Sequence, residues 1–362
     1  MPDRSRDDGR RPTMDQFPRV VFGSSALGNL YEALPDERKL DLVRAWFDQG
    51  GGGDNESGPV VIDTAGKYGA GLALEQLGVC LRRLGVPPER VAVGNKLGWY
   101  RVPLRGPEPT FEPGAWVDLE FDAQQRISGE GILECWRQGV ELLGEPYRPR
   151  MMSVHDPDEY LAAASDAADR DRRWTDVLDA YAALSDLRRS EPGTTLGIGS
   201  KDWRVVQQIT ARVDVDWVML ANCVTAYTHA PEALDFIRGL SDSGVRVINS
   251  GVFNAGFLVG GQYFDYRRVQ RDAEAQLFEW RDAFKRLCEA HAVAPAHACI
   301  QFGLSPLGVE AVALNTTDPD RVAQNLHFAT TPLDDAFWRE AKQLGLISSD
   351  YPYLAADAPV GR

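Results

Sequence analysis

The sequence predicts an α/β fold in which eight strands close into a (β/α)8 TIM barrel with long loops at its C-terminal mouth. Three observations carry that expectation. Eight short apolar, β-branched runs, each ending in a polar or small residue, recur along the chain: 20–25 (VVFGSS), 60–64 (VVIDT), 91–96 (VAVGNK), 151–156 (MMSVHD), 195–201 (TLGIGSK), 217–223 (WVMLANC), 245–250 (VRVINS) and 310–316 (EAVALNT). Helical stretches separate them, at 37–49, 71–84, 128–143, 176–189, 202–212, 231–243, 273–291 and 319–328. The runs also lack polar alternation, which marks strands covered on both faces and hence a parallel sheet. Eight strand–helix units fit a closed barrel, whose core of about 250 residues leaves the surplus for tails and loop insertions. An open doubly wound sheet competes, but it should carry a G-x-G-x-x-G fingerprint after an early strand. Residues 22–28 (FGSSALG) do not match it.

The domain boundaries follow from composition. Residues 1–16 are polar, with basic residues but no apolar core of a secretory signal, and are expected to be a disordered tail. A single barrel domain should span 17–346, with 347–362 a C-terminal tail near the mouth, where Tyr351 and Tyr353 could wall a pocket. Two internal stretches exceed ordinary connectors. The insertion 99–127 is Pro-rich and aromatic and should fold over the mouth, and 249–266 mixes glycine with aromatics after the seventh run.

A net charge of −14 and a pI near 4.9 argue against nucleic acid or an anionic membrane as partner. No apolar run approaches the roughly 18 residues of a membrane span. The five cysteines are odd in number, widely spaced and set in apolar patterns, as reduced thiols of a cytoplasmic protein would be. The expected partner is a small molecule. Oligomeric state is left open.

In a barrel, residues at the carboxyl ends of strands converge on one opening. Those ends carry Asp63, with Tyr68 five residues on in a turn that also holds Lys67, then Lys96, then His155. The set makes chemical sense together. A tyrosine of pKa about 10 is a poor base at neutral pH. A nearby ammonium stabilises its phenolate and should lower that value, while Asp63 holds Lys96 and His155 orients a substrate oxygen. Trp99, Tyr100, Trp203 and Asn222 offer aromatic and polar groups for a substrate pocket. Of five histidines only His155 closes a strand, so a metal centre finds no ligand set. A Schiff-base role for Lys96 would leave Tyr68 unexplained.

Strand-end Asp63 and Tyr68, Lys96 one unit later and His155 on the next strand resemble the catalytic tetrad of the aldo-keto reductase superfamily. The blocks VIDTAGKYGAGLALEQLG (61–78), NKLG (95–98), SVHDPDEYL (153–161), GVRVINSGVFNAGFLVGG (244–261) and LNTTDPDRVAQN (314–325) carry the likeness. The seventh-strand block is most similar to the D-threo-aldose 1-dehydrogenase branch. The resemblance implies a barrel binding NADP or NAD without a Rossmann fold, with the nicotinamide at its centre. It implies Tyr68 as general acid/base, Asp63 and Lys96 as its tuning partners and His155 as the orienting group.

Ser200 and Asn222 would reach the carboxamide, although the fifth strand reads Gly-Ser where the family has Ser-Asn. Phe253, Asn254 and Gly256 would meet the pyrophosphate with backbone amides. Asn315, Thr316, Arg321 and Asn325 would meet the adenosine end. Asn315 stands where NADP-preferring relatives have a basic residue, and this tilts the expectation toward NAD or use of both. The implied reaction is oxidation of an aldose at C1 to the lactone, or the reverse carbonyl reduction. A nicotinamide-bound regulatory or redox-sensor subunit is the alternative.

Overall fold

β-Branched residues are stiff at χ1 and favour extended backbone, and the eight runs form eight strands. They are β1 (Val20–Gly23), β2 (Val60–Ala65), β3 (Val91–Leu97), β4 (Pro149–His155), β5 (Thr195–Ser200), β6 (Trp217–Ala221), β7 (Arg246–Ser250) and β8 (Val309–Leu314). The computed structural model describes residues 17–50 and 58–354, so the expected tail 1–16 and the stretch 355–362 lie outside the described residues. Each strand pairs in parallel with the next, and β1 closes the ring by pairing β8 at Val20↔Val312 and β2 at Phe22↔Ile62.

Side-chain alternation sorts every strand into two sets. One set, including Ile62, Val93, Val154, Ile198, Val218 and Val312, packs outward on the helices. The other points inward: Val21, Val61, Ala92, Met151, Trp217 and Ile248 form a separate cluster with Met219 and Ala311, and Phe17 lies against it. Gly197 on β5 belongs to this inner layer by position. A Cβ there would fall 2.2 Å from the Trp217 indole, so the missing side chain makes room for the ring that fills the barrel floor. Further along the strands, the same alternation carries Asp63, two residues beyond Val61, Lys96, four beyond Ala92, and His155, four beyond Met151, into the barrel's upper interior.

The helices are α1 (Asp36–Gly50), α2 (Leu72–Leu84), α3 (Gly129–Leu143), α4 (Pro157–Ala162), α5 (Ala167–Ser190), α6 (Trp203–Thr210), α7 (Pro231–Asp242), α8 (Ala275–Ala290), α9 (Pro295–Leu304), α10 (Asp320–Thr330) and α11 (Asp335–Gln343). The helix expected at 176–189 begins nine residues earlier, because Asp166 caps it by accepting from the Asp169 amide at 2.8 Å. Helices α4, α9 and α11 were not expected. Of these, α9 is buried almost all round and shows little polar face by which to recognise it.

Insertion 99–127 forms an antiparallel hairpin, Trp99–Pro103 against Phe121–Gln125. Its tip packs Phe111 and Trp116 with Leu30 and Ala70. The C-terminal stretch does not wall the pocket as expected: among the described residues none of 347–354 lines the central cavity. Tyr351 instead stacks on Phe302 of α9, ring centroids 4.7 Å apart, and its hydroxyl meets Ser305 at 2.6 Å. The outer helix layer thus offers the ring both apolar contact and a polar partner. No helix among the described residues is long and apolar enough to cross a membrane.

Candidate active site

A cavity of about 920 Å³ opens at the carboxyl ends of the strands and runs from Tyr68 and His155 at one end to Arg321 and Asn325 at the other. At its base Lys96 Nζ bonds to Asp63 Oδ2, and the Tyr68 hydroxyl donates to that same oxygen at 3.3 Å. The ammonium also lies 4.6 Å from the centroid of the Tyr68 ring. His155 meets that ring edge-on, with centroids 5.7 Å apart. The three strand-borne groups are buried: Asp63 is 7 %, Lys96 4 % and His155 5 % exposed.

Local sequence explains each placement. Gly199 on β5 lies beneath Lys96, where a Cβ would stand 2.8 Å from its Cδ. Tyr68 is held by a turn in which its amide donates to Ala65 O and its carbonyl accepts from Ala73 N. Gly69 follows at φ +61°, and a Cβ there would strike Gly28 O at 2.3 Å. Only glycine meets both demands.

The electrostatics correct one expectation. Lys96 was expected to lower the pKa of Tyr68. Burial instead pushes the phenol well above its usual value, with the Asp63 carboxylate next and Tyr266, Asp156 and Glu112 adding to it. Asp63 sits between cation and hydroxyl, so the tyrosine keeps its proton at neutral pH. Burial, then Lys96 and Lys67, hold His155 well below the usual imidazole range. It is therefore neutral, with Nε2 3.5 Å from Asp156 Oδ2 and Nδ1 buried without a partner. A protonated phenol and a neutral imidazole thus share one end of the cavity.

The family model for the aldo/keto reductases matches residues 19–345, nearly the whole chain. The chain belongs to the aldo/keto reductase family. It is 25% identical over 341 residues to a pyridoxal 4-dehydrogenase from Microbacterium luteolum, covering 90% of this chain and 94% of that one. It is 26% identical over 342 residues to a D-threo-aldose 1-dehydrogenase from a Pseudomonas species, covering 91% and 95%. Among solved structures, a glycerol dehydrogenase from Gluconobacter oxydans matches its fold with a TM-score of 0.63 at 17% identity, over 92% of this chain and 94% of that one. The holo form of an aldo-keto reductase from Bacillus halodurans matches with a TM-score of 0.61 at 16% identity, over 90% and 91%. As an aldo/keto reductase, the protein is an oxidoreductase of a family that works with a nicotinamide cofactor.

In this aldo/keto reductase the other residues singled out from the sequence divide. Ser200, Phe253, Gly256, Asn315, Thr316, Arg321 and Asn325 line the cavity. Ser200 Oγ donates to Asp158 Oδ1 at 2.7 Å, and Asn315 Oδ1 accepts from the Ala26 amide at 3.4 Å. Asn254 does not line it: its side chain ties the turn together by donating to Asp265 Oδ1 at 2.9 Å. Asn222, at φ +59°, stands against Gly251 with Oδ1 buried and unpartnered, off the cavity wall.

The three aromatic residues expected around the substrate lie elsewhere. Trp99 packs on Phe111 at 5.7 Å, Tyr100 lies under Arg126, and Trp203 faces Phe236 at 5.8 Å on the outer layer. The aromatics that line this end are Tyr31, Trp116 and Tyr266. The sequence also understated the charge here. Lys67, Glu112, Asp156 and Lys201 line the cavity, and Glu159 bonds both lysines. The signal for Lys67 and Asp156 was present, since each adjoins a tetrad residue. Nothing in the insertion's composition separates Glu112 from Glu108 or Glu120.

Proposed function

We propose that this enzyme oxidises an aldose at C1 to the lactone, or runs the reverse carbonyl reduction, with Tyr68 as general acid/base. The observation that carries this is a single carboxylate oxygen of Asp63 bonded by both Lys96 and the Tyr68 hydroxyl, with His155 against the phenol ring. The name of one relative, D-threo-aldose 1-dehydrogenase, supports the substrate class.

The residues present fit a dinucleotide. At about 920 Å³ the cavity is far larger than a monosaccharide, and its wall includes small residues at Gly23, Gly199, Gly256 and Ala313. A Cβ at Gly256, which sits at φ +88°, would meet nothing within 4 Å, so that wall is open. The amides of Ala255 and Gly256 would face a pyrophosphate, and Asn315, Thr316, Arg321 and Asn325 would hold the adenosine end. When bound, the nicotinamide supplies or accepts the hydride.

The protein's own groups do the rest. In reduction, Tyr68 donates its proton to the carbonyl oxygen while neutral His155 fixes that oxygen's position. In oxidation, the phenol must first lose its proton, then takes one from the substrate hydroxyl. Lys96, held by Asp63, stays against the ring and stabilises the phenolate as it forms. Asn315 in place of a cation supports NAD or use of both cofactors.

Calorimetric titration with NADH and NADPH, followed by a panel of aldoses and aldehydes, tests the proposal. Cofactor binding with turnover of an aldose is the expected result. Binding without turnover on any member of the panel would favour the regulatory alternative.

A further inference from the structure

We infer that the substrate end of the cavity is built to take an uncharged carbonyl compound or hemiacetal and to refuse one bearing a phosphate or carboxylate, with Glu112 as a specificity-determining residue. The inference rests on the proposed function for its choice of substrate end, and it deepens that reading.

A cavity that binds an anionic substrate needs a cation with unused hydrogen-bond donors. An ammonium has three N–H groups, and those of Lys67 face three carboxylates, Glu112 at 2.7 Å, Glu159 at 3.1 Å and Asp156 at 3.2 Å. Lys201 bonds Glu159 and lies 3.9 Å from Asp156. Lys96 is bound to Asp63 under the phenol ring. Every lysine on this wall therefore already holds a carboxylate.

The count favours the acids. Four carboxylates, Asp63, Glu112, Asp156 and Glu159, answer three lysines, and Glu32 beside Tyr31 adds another to the wall. Burial would discharge Lys67 and Lys201, but their carboxylate partners override it and hold both above the usual lysine range. Burial and Asp156 would push Glu159 up, yet the two lysines hold it below the usual carboxylate range. Lys67, Lys201 and Glu159 are thus all held in their charged forms, and acids outnumber lysines on this wall. A substrate anion would have to displace one of these carboxylates and leave it buried beside its neighbours, which is costly.

The opposite end of the cavity shows what an anion-ready wall looks like. The Arg321 side chain is 67% exposed and its nearest acid, Asp318, is 3.7 Å away and already bonded to Arg38 at 3.0 Å. No lysine near Tyr68 is presented that way. What the substrate end does present is flat aromatic surface, from Tyr31, Trp116 and Tyr266. Glu112 joins the two features: Oε1 meets Lys67, while Oε2 accepts from Trp116 Nε1 at 2.7 Å. It arrives on the insertion 99–127, so the barrel alone would leave Lys67 one carboxylate short.

Two benzaldehydes of similar size test this on the full-length protein with bound cofactor, one with a neutral para-nitro group and one with a para-carboxylate. We expect kcat/KM to favour the neutral aldehyde by at least about tenfold at low salt, narrowing as salt screens the more exposed acids. Glu112→Gln keeps the side-chain shape and should move that ratio toward the carboxylate by about threefold or more, whatever happens to the absolute rates. Glu32→Gln, at an exposed position, gives the same reading if the first variant folds poorly. Equal or better use of the carboxylate by the unmodified enzyme would overturn the inference. If neither aldehyde and no aldose were turned over, the functional reading would fall. Tryptophan-fluorescence titration with the two aldehydes would still decide the charge preference, tighter binding of the carboxylate counting against it.

Discussion

The two ends of the cavity are built on opposite plans. At the Tyr68 end, charged groups are dense, buried and paired with one another; at the Arg321 end, the wall is mostly uncharged and one arginine reaches into solvent. On the proposed function, the first plan would preorganise a proton and fix an oxygen at the cost of burying charge, which only dense pairing can offset. The second leaves a cation available for something that brings its own charge. Chemistry and affinity are therefore separable by mutation.

Tyr68→Phe is the sharpest way to break the comparison. It removes only the proton carrier, so kcat should fall by about a thousandfold or more, with NAD(P)H affinity within a few-fold of the starting protein by calorimetry. A variant retaining most of kcat would show that the proton comes from elsewhere. A weaker effect should come from pH. Because burial and Asp63 raise the Tyr68 pKa, reduction should stay level through neutral pH. Oxidation, which needs the phenolate, should climb by about tenfold per pH unit below that pKa. Because burial and two lysines depress the His155 pKa, neither profile should bend near pH 6.5. A bend there would mean that the imidazole works as a cation. The smallest effect belongs to the far end: Asn315→Lys should shift the NADPH-to-NADH preference in kcat/KM toward NADPH by several-fold. No shift would mean that Asn315 does not face the adenosine ribose.

What could be read in advance follows the same division. Asp63, Lys96 and His155 lie on strands, where a period of two residues fixes which side of the barrel a side chain faces. Once the runs were recognised as parallel strands, their convergence followed. Tyr68 is one short turn from such a strand, and that turn is pinned by Gly69. Trp99, Tyr100 and Trp203 lie off the cavity wall because composition says which aromatics a segment contains and not which way each side chain faces. Trp99 pairs with Gln125 and Tyr100 with Gln124, so their rings lie on opposite faces of the hairpin, Trp99 on Phe111 and Tyr100 under Arg126, while Trp116, from the loop between the strands, lines the opening. The pKa of Tyr68 was misjudged for a similar reason. The sequence shows that Asp63 and Lys96 are near the phenol, but the balance turns on Asp63 lying between the other two.

The tryptophan in the barrel floor has a further consequence. With Trp217 seated over Gly197 and Phe17 packed against that layer, the barrel floor is filled, and the cavity that reaches the tyrosine lies at the carboxyl ends of the strands. Fuel, waste and hydrogen ions would then share a doorway, and whatever fills it seals off the phenol from bulk solvent while the reaction takes place.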